Sequence, residues 1–248
     1  IIFAANVICH IPKMLKLFES IELSLKQNGF FIFEEPYLGS MLEKTSYDQI
    51  YDEHYYMFSA TSIVSILKSF NLKLVNAEKI PTHGGSMRYY VKKTKSEEIT
   101  DKLKKILLYE KKIKISKIQT IKKFVNNCIT SKKRILKILN SVQKEGNDIY
   151  GYGATSKSTT ILHFCKVKQN SIKGIFDNTP TKIGKYFPAK KIKIIDYKHF
   201  KKIKPKYCFL FAWNHFKEIF EKEKNNKIKW ICHIDKKHFP KNVRKNFI

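Results

Sequence analysis

Leu72-Lys73-Leu74-Val75-Asn76-Ala77-Glu78-Lys79-Ile80, then Pro81-Thr82-His83-Gly84-Gly85-Ser86, then Met87-Arg88-Tyr89-Tyr90-Val91-Lys92 is the stretch that decides the fold. Two runs of strand-forming residues flank a Pro/Gly turn, which predicts two strands folded back on each other. Upstream, Ile1 to Ala5 reads as a buried strand. Met14 to Gln27 carries apolar residues at helical spacing (Leu15, Phe18, Ile21, Leu25) and stops at Asn28-Gly29. Phe30 to Phe33 is a short apolar strand, and Thr61 to Phe70 fits a helix capped by Ser59 or Thr61. The order strand, helix, strand, helix, hairpin is that of the second half of a doubly wound α/β sheet with an antiparallel end. Such a half cannot cover its own sheet, so a first half upstream of Ile1 is expected.

Downstream, Ser96 to about Gly146 has almost no Gly or Pro, and Ile135, Ile138, Leu139 and Val142 recur at helical spacing. This predicts one or two amphipathic connecting helices with a solvated lysine face. From Asp148 onward the pattern alternates. Strands are expected at Ile149–Tyr152, Ile172–Asp177, Tyr207–Trp213 and Ile228–Ile234, with helices near Ser156–Phe164 and His215–Lys224. That alternation predicts a second, parallel α/β sheet. The expected division is therefore 1–95, connecting helices 96–147, and 148–248.

Composition narrows the function classes. The 248 residues carry 49 Lys and Arg against 21 Asp and Glu, a formal charge of +28. Such a charge raises nucleic acid as a partner, but only Arg88, Arg134 and Arg244 are arginine, and an Ile-, Asn- and Lys-rich composition is what AT-rich codons write. With so little arginine for bidentate base contacts, specific nucleic-acid binding is not expected. Cys9, Cys128, Cys165, Cys208 and Cys232 form no close pair, neither a disulfide framework nor a CxxC metal set, so no metal is assigned to this chain. No signal peptide and no membrane-length apolar run is legible. The reading is a soluble protein of a reducing compartment, the cytoplasm, with no membrane partner.

The densest cluster of reactive side chains is Tyr47-Asp48-Gln49-Ile50-Tyr51-Asp52-Glu53-His54-Tyr55-Tyr56. A histidine beside carboxylates and phenols can act as a general base, although a polar loop with ordinary hydrogen bonding would look the same. His83 and Arg88 flank Gly84-Gly85, which fits either substrate contacts or a tight reversal needing positive φ. Gly151-Tyr152-Gly153-Ala154-Thr155-Ser156-Lys157 lies between a strand and a helix, a context that offers backbone N–H groups to phosphate. Asp177 stands where a dinucleotide fold places its ribose-binding acid, but Ser156 replaces the third glycine, which argues against NAD.

Several segments together resemble the S-adenosylmethionine-dependent C-methyltransferases of nucleotide-linked deoxysugars: Ala5-Asn6-Val7-Ile8-Cys9-His10-Ile11-Pro12, Glu35-Pro36-Tyr37-Leu38, Asp48 to His54, Thr82 to Arg88, Gly151 to Lys157 and Phe211-Ala212-Trp213-Asn214. They occur in family order over nearly the whole chain, and only Asp235 to Ile248 departs from it. The resemblance implies the C-terminal half of a Rossmann-like methyltransferase sheet followed by a second Rossmann-like domain. It implies methylation of a carbon beside a keto group through an enolate. His54 matches the general base, with Glu53, Tyr51 and His10 around it, and Asn6 matches a contact to the methionine end of the donor. Tyr37, His83, Arg88, Lys157 and Asn214 match positions near the nucleotide-activated keto-sugar. The glycine-rich donor loop and the paired-cysteine zinc module of the family are expected upstream, so the donor site in this chain is expected to be incomplete. A non-catalytic nucleotide-sugar-binding module and a basic nucleic-acid-associated protein are the rival readings.

Overall fold

A computed structural model describes residues 1–188 and 190–248. The chain divides into two compact units, Ile1–Glu43 with Asp52–Val125, and Lys44–Tyr51 with Asn126–Ile248.

The first unit contains β1 (Ile2–Ala5), α1 (Met14–Ser24), β2 (Phe30–Pro36), most of α2 (Leu38–Lys44), α3 (Ala60–Leu67), β3 (Leu72–Ile80), β4 (Ser86–Lys93) and α4 (Asp101–Lys112). Its sheet runs β1-β2-β4-β3, with β1 and β2 parallel and β4 antiparallel to both neighbours. This is the predicted order of strands and helices with its terminal hairpin. On β4 the buried Met87, Tyr89 and Val91 alternate with the more exposed Arg88, Tyr90 and Lys92, the period-2 pattern of a half-buried strand. On β2 the inward face is Phe31, Phe33 and Glu35, so a carboxylate continues the core face. Phe18 of α1 meets the rings of both phenylalanines edge-on, and each ring buried this way contributes about 1.5–3 kcal/mol. Ser59, one of the two expected caps, closes α3 in a capping box with Ser62.

The second unit takes in residues 44–51 and the larger part of α5 (Ile118–Lys144), inside which the division between units falls. It comprises β5 (Ile149–Tyr152), α6 (Ser156–Phe164), β6 (Ile175–Asp177), β7 (Ile194–Asp196), α7 (Phe200–Ile203), β8 (Tyr207–Leu210), α8 (Phe216–Lys222) and β9 (Lys229–Ile231). All pairings are parallel, in the order β7-β6-β5-β8-β9. The chain is thus a mixed α/β protein with Rossmann-like sheets.

The three-part division expected from sequence differs from the packing. α4 belongs with the first unit because Leu103 enters its core, and the larger part of α5 belongs with the second. Residues 44–51, part of the first region in sequence, pack with the second unit. Among the described residues no helix is long and apolar enough to cross a membrane.

Candidate active site

In the first unit the carboxyl ends of β1 and β2 build a polar corner. After β1 the chain turns at Asn6, which takes φ +54°, a left-handed conformation that asparagine tolerates better than most residues. The turn is pinned by Glu35. Its Oε1 accepts the N–H groups of Val7 (3.0 Å) and Ile8 (2.6 Å), while the side chain is fully buried. Asn6 donates its own N–H to the Glu34 carbonyl at 2.8 Å. Two acceptors at this turn, Asn6 Oδ1 and Glu35 Oε2, are buried without a hydrogen-bond partner. Buried polar atoms are nearly always paired, so two orphan acceptors mark a place where a donor group fits.

The turn delivers His10 to His54. Their ring centroids are 5.0 Å apart in an edge-on arrangement. His10 Nδ1 lies 2.8 Å from the Glu53 carbonyl oxygen. A carbonyl can only accept, so Nδ1 carries the proton, and Nε2 is the ring nitrogen left to act as base or acceptor when His10 is neutral. The Tyr55 N–H, bonded to the Cys9 carbonyl at 2.9 Å, ties the His54 loop to the same turn.

The ligand atoms of Cys9, His10 and His54 lie within 4.8 Å of one another, close enough to meet on one ion. Burial, with the adjacent Glu35 carboxylate, pushes the Cys9 thiol far above its usual range.

The other expected residues are placed as follows. Glu53 is exposed, and its backbone rather than its carboxylate meets His10. Tyr37 is 1% exposed, so its ring is part of the core and offers no surface to a ligand as folded. Arg88 is paired with Glu34, its neighbour in register on β2, with Nε 2.6 Å from the carboxylate. His83 is exposed at φ +53° in the turn before β4. Tyr51 and Asn214 belong to the second unit, both half-buried. Lys157, also there, is only 9% exposed, and its electrostatic partner is Asp48.

Sequence reasoning gave Glu35 no role, and it did not see the internal site formed by Asp48, Trp213 and His233. Asp48 is completely buried. It accepts Trp213 Nε1–H at 2.7 Å on one oxygen and His233 Nε2 at 2.9 Å on the other. Burial alone would raise its carboxyl pKa. His233 outweighs that, with Lys157 and the Trp213 bond adding to it, and holds the group below the usual carboxylate range. The signal that could have found Glu35 was a carboxylate in phase with Phe31 and Phe33.

Comparison with known proteins identifies the family. The family model for the C-methyltransferase C-terminal domain matches residues 81–234, and a methyltransferase-domain model matches residues 1–77. The chain belongs to the C-methyltransferase family. It is similar to the C-methyltransferase NovU of Streptomyces niveus, with 27% identity over 225 residues that cover 90% of this chain and 54% of NovU. The chain thus spans about half the length of that relative. The two matched regions meet near the turn before β4.

Proposed function

We propose that this C-methyltransferase chain carries the proton-abstracting side of an S-adenosylmethionine-dependent reaction that methylates the carbon beside the keto group of a nucleotide-linked deoxysugar. The observation that carries the reading is the His10–His54 pair, with His10 held in one tautomer by the Glu53 carbonyl, next to a turn with two unpaired buried acceptors.

The residues present fit the methionine end of the donor. Asn6 Oδ1 and Glu35 Oε2 are buried acceptors that no N–H or O–H group meets, only the weak Cys9 thiol standing beside Glu35, and an α-ammonium group is a donor that suits them. When bound, S-adenosylmethionine supplies an electrophilic methyl group on a sulfonium. His54 takes the proton from the carbon that the neighbouring ketone acidifies, leaving the substrate as an enolate. His10 presents Nε2 at the same place and cannot rotate freely, because turning the ring would break the bond to Glu53. The Glu53 side chain and His83, both exposed in the same unit, are proposed to meet the sugar nucleotide.

The test is His54→Asn in the whole enzyme, followed as methyl transfer from labelled S-adenosylmethionine to a thymidine diphosphate keto-deoxysugar. Turnover is expected to fall by about 10²–10⁴-fold, the usual contribution of a general base, with donor affinity by calorimetry unchanged. Turnover within about twofold of wild type, small against that range, would remove His54 from the role of base.

A further inference from the structure

The strand order of the second unit's sheet reverses between β5 and β8. From β5 the strand order proceeds through β6 to β7 on one side, and β8 and β9 lie on the other. In open parallel sheets the crevice outside the carboxyl ends of the strands, at such a reversal, is where ligands bind. Here that crevice is occupied from within. Trp213 follows β8, His233 follows β9, and Lys157 opens α6 after β5. All three converge on Asp48, which sits in the short Tyr47–Gln49 helical turn that packs with this unit.

The arrangement matches a carboxylate group by group. One oxygen receives the indole N–H and the other receives an imidazole nitrogen, which must donate because an ionised carboxylate cannot. Lys157 Nζ is buried and makes no hydrogen bond, so it contributes charge rather than a directional contact. The turn is fastened on either side of Asp48 as well. The Tyr47 hydroxyl lies 3.4 Å from Cys165 Sγ, and its ring packs on Phe164 and His233. His233 is held in place by Ser131 and Arg134, both of which donate to its carbonyl.

The features a dinucleotide would need are spent elsewhere. Asp177 uses one oxygen on the Ala154 N–H and the other on the Thr179 N–H, leaving its carboxylate engaged by backbone rather than open to a ribose. Gly153, at φ +89°, lies so close to the segment after β8 that an added Cβ would come within 2.7 Å of Ala212. The glycine loop is therefore packed against protein. We propose that the switch-point crevice of the second unit is a carboxylate-binding site whose occupant is Asp48 of the same chain, so that this unit grips the Tyr47–Gln49 turn instead of receiving a dinucleotide. The proposal stands apart from the methyltransferase reading.

Asp48→Ala in the 248-residue chain tests it. The variant leaves a carboxylate-sized vacancy facing Trp213, His233 and Lys157, and its melting midpoint is expected to fall by about 10 °C, as for removal of one partner from a buried charged pair. Sodium formate, compared with sodium chloride at equal ionic strength, should recover part of that loss in Asp48→Ala and leave wild type unmoved. An unchanged midpoint in the variant, or the same formate response in both proteins, would overturn the proposal. Should Asp48→Ala fail to fold, the wild-type protein still decides. The Trp213 indole N–H resonance, assigned with Trp213→Phe, is expected to exchange slowly and to stay in place when NAD⁺ is added to saturation. Displacement of that resonance by NAD⁺ would show the crevice to be open to a nucleotide.

Discussion

Glu35 stands where strand alternation would place a third apolar side chain after Phe31 and Phe33, and the buried carboxylate is used to fold the turn that precedes His10. The consequence can be measured on stability alone. Glu35→Ala leaves the N–H groups of Val7 and Ile8 without their acceptor, and is expected to cost about 2–4 kcal/mol in urea unfolding. Glu35→Gln keeps an oxygen that can accept both bonds and should lose less than half as much. If both variants cost the same, the two N–H···O bonds to that oxygen are not what holds the turn. At this scale the sequence was only partly legible. His10, His54 and Asn6 were named from motifs, and the structure gathers them in one corner with Glu35. Tyr37 was expected at the substrate and lies in the core. A motif gives residue types in order, whereas burial depends on what packs across from them.

Local pattern was the more reliable guide for whole elements. The hairpin Leu72–Ile80 and Ser86–Lys93, the strand Ile149–Tyr152 and the helix Ser156–Phe164 lie where periodicity and turn residues put them. β7 was missed because Ile194-Ile195-Asp196 is too short to show a period, and α2 because its seven residues contain Gly39 and Ser40. The packing of residues 44–51 with the second unit was also illegible, since its cause is Asp48 meeting Trp213 and His233 far along the chain. A similar long-range contact supports α3. Glu110, fully buried on α4, accepts the N–H groups of Ala60 (2.8 Å) and Thr61 (2.7 Å) and the Thr61 hydroxyl. The Ser59 capping box closes the same helix end, so the two caps can be ranked. Ser59→Ala is expected to cost about 1 kcal/mol. Glu110→Ala strands three donors and should cost about 2–4 kcal/mol, with faster amide exchange concentrated in α3. Equal costs would mean that the three bonds to Glu110 hold the helix end no more strongly than the local cap.

Across the whole molecule the dominant electrostatic fact is a formal charge of +28, carried almost entirely by lysine. The three arginines are committed within the protein: Arg88 to Glu34, Arg134 to the carbonyls of Cys232 and His233, and Arg244 to the carbonyls of Lys237 and Phe239. The side chains best suited to read base edges are thus occupied, while the lysines form a diffuse positive field. Such a field attracts polyanions by counterion release and carries no sequence information. Short DNA duplexes are therefore expected to bind this chain at low salt with affinities that scrambling the sequence leaves unchanged. That affinity should collapse by about 10³-fold or more between ~50 and ~200 mM salt if six or more phosphates are engaged. Fluorescence anisotropy over a salt series measures both properties at once. A sequence preference of about tenfold or more that persists at high salt would require base contacts worth roughly 1.4 kcal/mol. Those contacts would have to come from lysine, or from arginines released from the pairs they make here, and Arg134→Lys, which alters one such pair, would then change the preference. Indifference to sequence would leave the charge as a solvated surface and the chemistry with the histidine pair.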